Sequence, residues 1–170
     1  MLTQEYLKSV LSYDPETGIF TWKYRQGLIG KKISWNTRYS EKQAGTIDPV
    51  GYLGIAIEYK RYYAHRLAWL YMTGELPKKY IDHLNGNKSD NRFLNLREAT
   101  NSENQQNQKR AKTSNISGFL GVSLTKEKNK YRSRIVTKGK QIVIGIFDTP
   151  EEAHEKYLEA KRKLHLFNTI

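Results

Sequence analysis

Asp82 and His83 stand side by side at the start of a stretch that is rich in amides, because residues 82–107 contain seven asparagines. A carboxylate is a hard oxygen donor for a divalent cation, and an imidazole with a pKa near neutrality can take a proton from water. Amide oxygens can add a neutral ligand or orient the histidine without placing further negative charge beside a polyanion. The stretch therefore predicts a hydrolytic metal site that acts on a phosphodiester.

Asp82 and His83 could instead have purely structural roles, since most single aspartates are turn or cap residues and most single histidines are ordinary polar residues. The functional interpretation is favoured because a second predicted strand and a capped helix follow Asp82 and His83 at a workable spacing. A calcium loop that begins at Asn85 does not fit, because its glycine position holds Asp90 and its bidentate acid position holds Leu96.

The elements that must position these side chains can be predicted around them. We predict a strand at 80–84, a loop at 85–90 and a second strand at 95–97. Thr100 and Glu103 have the spacing of a capping box, so a helix is expected to begin there. Such a strand-loop-strand-helix unit can bring Asn104 back against Asp82.

The residues before this unit have their own periodicity. The patterns predict a short helix that begins near Thr3, a turn at 14–18, a strand at 19–22, a hairpin over 52–63 and a helix over 64–72. Residues 24–45 are polar, basic and loosely patterned, and no function is predicted for them. His65 lies in the predicted helix, where a packing role is favoured over a phosphate contact.

The charge of the chain predicts a polyanionic partner. Lys and Arg number 29 against 17 Asp and Glu, which gives a formal net charge of +12 and a pI of about 9.7. Ten of these basic residues fall within 109–140, with Glu127 as the single acid in that stretch. The chain has no cysteine, which excludes disulfides and thiolate zinc sites. No run approaches the ~20 apolar residues of a membrane span, so a cytoplasmic protein without membrane contact is expected.

The second half of the chain predicts a small sheet with a basic face. Residues 109–117 form a predicted basic linker, and three β-like segments follow at 118–124, 131–137 and 141–147. A helix is expected to begin at Thr149. The period of two sends Arg132 and Arg134 to the face of the sheet opposite the helix.

Together these motifs resemble the HNH endonuclease family, in its phage and intron-encoded homing branch. The resemblance rests on Asp14-Pro15-Glu16-Thr17-Gly18, His65-Arg66-Leu67-Ala68-Trp69, Asp82-His83-Leu84-Asn85-Gly86-Asn87, Asp90-Asn91-Arg92, Asn95-Leu96-Arg97 and Ser102-Glu103-Asn104. It implies a ββα-metal fold in which Asp82 and Asn104 bind one Mg²⁺ or Mn²⁺ ion and His83 is the general base. It also implies that Asn95 orients His83 and ties the loop together. Many members have a second histidine where this chain has Asn104.

The C-terminal part resembles the DNA-binding domain of plant ethylene-response factors. The motifs are Gly118-Phe119-Leu120-Gly121-Val122, Lys130-Tyr131, Ile144-Gly145-Ile146-Phe147-Asp148-Thr149 and Glu151-Glu152-Ala153. The resemblance implies that the exposed sheet face enters the major groove with Ser123, Arg134 and Gln141. The plant domains have arginines at the positions of Ser123 and Gln141, so their base preference does not transfer. A generic sheet-plus-helix module with a basic face is the alternative.

We therefore expect an α+β protein with a ββα-metal (HNH) nuclease domain at 1–108, whose ββα unit covers about 79–108. A three-stranded antiparallel sheet packed on one helix is expected at 118–170. The expected function is metal-dependent, homing-type cleavage of double-stranded DNA by a monomer, encoded by a phage. Lys109, Arg110 and Lys112 are assigned to phosphates, and Arg132 and Arg134 to base edges. The alternatives are a non-catalytic DNA-binding regulator and an RNA-binding protein.

Overall fold

The structure is a computed structural model and describes residues 2–27, 34–126 and 129–169. The chain divides into two units, Met1–Ala99 and Thr100–Ile170. In the described ranges the first unit holds three small antiparallel sheets and the second holds one, each unit with helices of its own. The expected mixture of helices and small antiparallel sheets is therefore confirmed. None of the described helices has the length and apolar character that crossing a membrane requires.

A helix and a hairpin open the first unit. Helix α1 (Gln4–Val10) begins after Thr3, whose hydroxyl accepts a hydrogen bond from the backbone N–H of Tyr6 at 3.2 Å. Strands β1 (Leu11–Asp14) and β2 (Ile19–Trp22) pair antiparallel. The turn between them ends at Gly18, which has a φ of +74° that favours glycine.

The middle of the first unit is a three-stranded sheet. Helix α2 (Ser34–Tyr39) lies in the stretch for which no element was predicted, and residues 28–33 of that stretch lie outside the described residues. The sheet has the order β3 (Thr46–Ile47), β4 (Leu53–Ile57) and β5 (Lys60–Tyr63). Helix α3 (Ala64–Thr73) follows β5 directly and ends at Gly74, whose N–H caps the carbonyl of Leu70.

Two short strands carry the residues of greatest chemical interest. Strands β6 (Tyr80–His83) and β7 (Leu96–Ala99) pair antiparallel, and a 3-10 turn (Phe93–Asn95) leads into β7. The apolar side chains of Ile81 and Leu96 belong to the core cluster of the unit. Burial of these two side chains attaches both strands to the core. Asp82 and His83 directly follow Ile81 on β6.

The core of the first unit joins elements that are far apart in the sequence. Buried side chains from α1, β2, β4 and α3 meet there, represented by Leu7, Phe20, Ile55 and Leu67, each with no exposed surface. Burial of such large apolar side chains is the main favourable contribution to folding. The site strands β6 and β7 thus rest on a core to which distant parts of the sequence contribute.

The second unit places one long helix on a three-stranded sheet. It comprises α4 (Asn101–Gln106), β8 (Val122–Leu124), β9 (Tyr131–Thr137), β10 (Lys140–Phe147) and α5 (Pro150–Leu164). The sheet has the order β10-β9-β8 and is antiparallel. Val122, Ile135, Ala153 and Tyr157 are buried within this unit.

Helix α4 is attached to the C-terminal residues of its own unit. Thr100 and Glu103 form the predicted capping box at its start. Beyond its last turn, Thr169 Oγ1 donates to Asn107 Oδ1 at 2.8 Å, and the Lys161 ammonium donates to the carbonyl of Gln108. The predicted linker 109–117 lies inside this unit, and the domain boundaries drawn from the sequence stay a prediction.

The turn between β1 and β2 packs against the loop after β6, and substitution of Gly18 in this turn tests the contact. A Cβ at Gly18 would lie 2.4 Å from the backbone N of Arg92 and 2.5 Å from the backbone C of Asn91. Gly27 has a similar φ of +69° with nothing within 4 Å of such a Cβ, so Gly27→Ala is the matched control. We expect both variants to lose about 1 kcal/mol of unfolding free energy from backbone strain. Gly18→Ala should lose about 1 to 3 kcal/mol more from the steric clash.

Denaturant unfolding of both variants measures this difference. Equal losses in the two variants would mean that the turn does not hold the backbone of Asn91 and Arg92.

Candidate functional site

Asp82 and His83 lie at the end of β6 with almost no exposed surface, 5% for Asp82 and 4% for His83. The register of the two strands puts Asp82 opposite Arg97 and His83 opposite Leu96. Consecutive side chains on a strand point to opposite faces, so the side chains of Asp82 and His83 have different neighbours. Asp82 and His83 are therefore held by the backbone pairing of β6 with β7.

The Asp82 carboxylate forms an ion pair with Arg97. Its Oδ2 accepts from Arg97 Nε at 3.0 Å and from Nη2 at 2.8 Å. Two hydrogen bonds from one guanidinium fix the orientation of the carboxylate plane. The pairing also supplies the counter-charge that a buried carboxylate requires.

The His83 imidazole is held by a buried amide. His83 Nε2 lies 3.5 Å from Asn91 Oδ1, a long hydrogen bond. The Asn91 amide nitrogen donates to the carbonyl of Ser89 at 3.0 Å, which leaves Oδ1 to face His83. An oxygen acceptor at Nε2 implies that Nε2 carries the hydrogen, and Nδ1 is then the basic nitrogen of the neutral ring.

Burial lowers the pKa of His83 below its usual value, while the hydrogen bond to Asn91 Oδ1 and the nearby Asp82 charge act in the opposite direction. The imidazole is therefore neutral at pH 7. A neutral imidazole is the form that can accept a proton from water.

Asn91 is itself fixed by residues far away in the sequence. It is 1% exposed, and its carbonyl accepts from the hydroxyl of Tyr13 at 2.7 Å. The backbone N–H of Phe93 donates to the carbonyl of Pro15 at 3.0 Å. The β1–β2 hairpin thus holds the segment that carries the partner of His83.

The other amides build the loop between β6 and β7. Asn95 Oδ1 accepts from the backbone N–H of Asn85 at 3.0 Å, and its amide nitrogen donates to Asn85 Oδ1 at 3.1 Å and to the carbonyl of Asp90 at 2.8 Å. Asn95 thus holds the loop through these three hydrogen bonds, and its predicted role in orienting His83 stays a prediction. The amide beside His83 Nε2 is that of Asn91, a residue to which the sequence assigned no role.

An ion pair closes the same loop. Arg92 binds Asp90 through Nε at 2.8 Å and Nη2 at 2.6 Å, and Asn85 donates to Asp90 Oδ2 at 2.6 Å. The hydrogen bonds from Arg92 make the largest contribution, and together with the one from Asn85 they lower the pKa of Asp90 to about 2. The Asp90 carboxylate is ionised at any pH near neutrality and keeps the loop closed.

A cluster of rings surrounds His83. The centroid of His65 lies 5.1 Å from that of His83, and the ring of Tyr63 stacks on His65 at 5.5 Å. Tyr52 lies 6.1 Å from His83, and the Lys88 ammonium lies 4.9 Å from the centre of the Tyr52 ring. The rings exclude water from one side of the imidazole, and Lys88 adds a cation nearby.

His65 packs among these rings, as favoured from the sequence. It is 6% exposed, and its Nδ1 is a buried atom without a hydrogen-bond partner in the described part of the chain. Burial, aided by His83 and Arg66, lowers the pKa of His65 to about 3. His65 is therefore neutral throughout the physiological range.

Asn104, the second predicted metal ligand, lies on α4 in the second unit. Its role as a ligand stays a prediction. Within the described ranges no group of three or more His, Cys, Asp and Glu side chains could hold a metal ion.

The residues of the site nevertheless suit a magnesium ion. Magnesium in proteins takes one or two carboxylates and completes its shell with water and substrate phosphates. The Asp82 carboxylate is a hard oxygen donor whose orientation is fixed through Oδ2 by Arg97. One oriented carboxylate is therefore a protein donor that such an ion accepts.

In the second unit, the predicted DNA-contacting residues of the sheet share one exposed face. Ser123 pairs with Arg132 across β8 and β9, and Arg134 Nη1 donates to Gln141 Oε1 at 3.3 Å. Arg132, Arg134 and Gln141 are exposed, as are Lys109, Arg110 and Lys112 before the sheet. The structure thus brings Ser123, Arg132, Arg134 and Gln141 together, and their contacts with DNA stay a prediction.

Residues 62–106 match the model of the HNH endonuclease family. The chain is also 35% identical over 114 residues to Protein 3.8 of Escherichia phage T7, in an alignment that covers 58% of this chain and 93% of that protein. The chain belongs to the family of Protein 3.8 and carries an HNH endonuclease domain. No solved structure matches the chain.

The HNH endonuclease match begins in β5 and ends with α4, so it spans His65, Asp82, His83, Asn91 and Asn104. The resemblance to the HNH family is confirmed at this level. The resemblance of the C-terminal part to plant ethylene-response factors stays a prediction.

Sequence reasoning missed Arg97 and Asn91 as partners of the site. Arg97 could have been found, because antiparallel pairing of the two predicted strands brings it close to Asp82. Asn91 could not, since its place depends on Tyr13, which is 78 residues away.

The low pKa of His65 predicts how stability depends on pH. In the unfolded chain a histidine takes up a proton near pH 6.5, whereas His65 in the folded protein resists protonation down to about pH 3. The unfolded state therefore binds more protons in this window, so the contribution of His65 to stability is complete above pH 6.5 and falls as the pH falls towards 3. His65→Phe should make the acid side of the stability curve shallower. Chemical denaturation at several pH values between 4 and 7 measures the slope, and an unchanged slope would show that His65 is protonated in the folded state.

Proposed function

We propose that the protein is a metal-dependent endonuclease that hydrolyses a phosphodiester bond of double-stranded DNA at or near a recognised site, as homing enzymes do. The observation that carries the proposal is the neutral, buried His83 beside Asp82, with its Nε2 on Asn91, inside an HNH endonuclease domain. The exposed basic sheet face of the second unit, which carries Arg132 and Arg134, supports DNA as the partner.

His83 is the general base of the proposed reaction. Because Asn91 accepts the hydrogen on Nε2, the proton from water goes to Nδ1, and the resulting hydroxide attacks phosphorus in line with the leaving oxygen. The bond between phosphorus and the 3′ oxygen breaks, and that oxygen takes a proton from solvent water. The ends are then 5′-phosphate and 3′-hydroxyl, as the resemblance implies. Asn91 stabilises the imidazolium, since its amide oxygen accepts from the charged ring as well.

Asp82 and Asn104 would hold one Mg²⁺ or Mn²⁺ ion, which supplies electrostatic stabilisation of the charge on the phosphate and on the leaving oxygen. Arg97 keeps the Asp82 carboxylate in one orientation. Lys88, on the loop beside the ring of Tyr52, is placed to attract the phosphate. Asn95 keeps the loop closed, so that Asn91 stays against His83.

A non-catalytic DNA-binding regulator is the second candidate. The ion pair between Asp82 and Arg97 favours it, because this pair satisfies the carboxylate without a metal ion. Incubation of supercoiled plasmid with and without magnesium, followed by a gel, separates the two. Nicked or linear product that requires magnesium supports the nuclease, and bound but uncut plasmid supports the regulator.

His83→Ala should abolish cleavage while leaving DNA affinity nearly intact. A general base contributes to the transition state and little to the binding of the ground state, so a rate loss of about 10² or more is expected. His83→Gln keeps a polar side chain of similar reach that cannot act as a base, and it should lose activity to the same extent. Single-turnover cleavage and binding in EDTA give the two readouts, and cleavage at the wild-type rate in either variant would rule out this mechanism.

Two variants of the second unit separate base reading from phosphate binding. Arg134→Ala should relax preference at one base position by about 1 to 3 kcal/mol if the guanidinium makes a bidentate base contact. Lys112→Ala should weaken binding to all sequences alike and reduce the slope of log affinity against log salt by about one. Binding to a selected site and to random duplex over a salt series is the measurement. Equal losses on both duplexes for Arg134→Ala would reassign that residue to a phosphate.

A further inference from the structure

A cleft of about 860 Å³ opens in the first unit between α2, the end of β2 and the β3–β5 sheet, lined by aromatic and arginine side chains. The lining residues that matter here are Arg25, Trp35, Arg38, Tyr39, Tyr59 and Arg61. None of them belongs to the cluster around His83. Most of them fall in the basic stretch for which the sequence predicted no function.

The charge of this cleft is positive. It contains three guanidinium groups and one carboxylate, Glu58, which accepts a hydrogen bond from the hydroxyl of Tyr6 at 2.5 Å. In the described part of the chain neither Arg25 nor Arg38 forms an ion pair with a carboxylate. Arginines without acidic partners leave their charge available to an anionic ligand.

Arg25 is held in the cleft by aromatic rings. Its guanidinium lies 3.8 Å from the centre of the Trp35 ring and 5.3 Å from that of Trp22. The backbone N–H of Arg25 donates to Asn36 Oδ1 at 2.9 Å, and the Asn36 amide nitrogen donates to the Arg25 carbonyl at 2.8 Å. Ring contacts hold a cation in place without cancelling its charge, so this position is built to keep a guanidinium facing the cleft.

Two tyrosines add exposed rings. Tyr39, at the end of α2, is 40% exposed, and Tyr59 is fully exposed in the turn between β4 and β5. Tyr59 has a φ of +64°, and Glu58 before it has a φ of +48°, so two consecutive non-glycine residues adopt the left-handed conformation here. Glu58 and Tyr59 form the two-residue turn that joins β4 to β5, and such a turn commonly has both residues in this conformation. The turn holds the ring of Tyr59 in solvent beside the cleft.

We infer that this cleft binds an unpaired segment of DNA, with bases stacked on Tyr39 and Tyr59 and phosphates bound by the arginines. Alternating exposed rings and cations are how proteins bind single strands without sequence preference. In a duplex the faces of the bases are stacked on one another. The phosphates of a duplex could therefore bind the arginines, but its bases could not stack on the tyrosine rings. DNA rather than RNA is chosen because the HNH domain implies a DNA substrate, and to that extent the inference rests on the proposed function.

Binding of the full chain in EDTA tests the inference without cleavage. The probes are a fluorescent DNA strand of about ten nucleotides, an RNA strand and a DNA duplex of the same sequence, all at about 0.1 M salt. The test variant is Tyr39→Ala with Tyr59→Ala, in which alanine suits the helix at position 39. The control is Tyr24→Ala, since Tyr24 is exposed on the same segment but does not line the cleft.

We expect the double variant to bind the single DNA strand at least about tenfold more weakly, with little change on the duplex, and Tyr24→Ala to match the wild type. Tryptophan fluorescence should be quenched by the single strand, because Trp22 and Trp35 line the cleft. Unchanged affinity in the double variant, an equal loss in Tyr24→Ala, a greater loss on the duplex or a greater loss on RNA would each overturn the inference. If the protein cuts no plasmid but shows the expected binding differences, the proposed nuclease activity is refuted, while the inference that the cleft binds single-stranded DNA still holds.

Discussion

Burial of the Asn91 side chain is the constraint on which the candidate site depends. A buried amide needs hydrogen-bond partners, because an unpaired polar group in the interior costs about 1 to 3 kcal/mol. The amide nitrogen of Asn91 donates to the carbonyl of Ser89, its Oδ1 faces His83 Nε2, and its backbone carbonyl accepts from the hydroxyl of Tyr13. The histidine and the β1–β2 hairpin are thereby coupled through one residue.

This coupling has an electrostatic consequence. Burial makes the charged form of His83 unfavourable, and the amide oxygen at Nε2 selects one tautomer of the neutral ring. One residue earlier, the Asp82 carboxylate is paired with the Arg97 guanidinium. Two adjacent residues on one strand thus have opposite requirements, a neutral base and a paired anion, and the alternation of a β-strand lets the fold meet both.

Much of the local structure could be predicted from the sequence, since it depends on near neighbours. The capping box at Thr100, the helix that begins at Ala64 and the strands at 19–22 and 131–137 all follow local patterns, and the structure has them. Strand β1 was missed, because Leu11 continues the apolar period of α1. The partner of His83 and the arginine cleft were missed because both depend on contacts between distant segments, which no local period encodes.

The role of His83 as a base depends on which of its ring nitrogens carries hydrogen, and this can be measured. Long-range ¹H–¹⁵N spectra of the histidine side chains at pH 7, with His83→Gln to assign the signals, report which ring nitrogen carries hydrogen. We expect a neutral His83 ring with its hydrogen on Nε2, because Asn91 Oδ1 faces that nitrogen. A ring with hydrogen on Nδ1, or on both nitrogens, would contradict the assignment of His83 as a base held by Asn91.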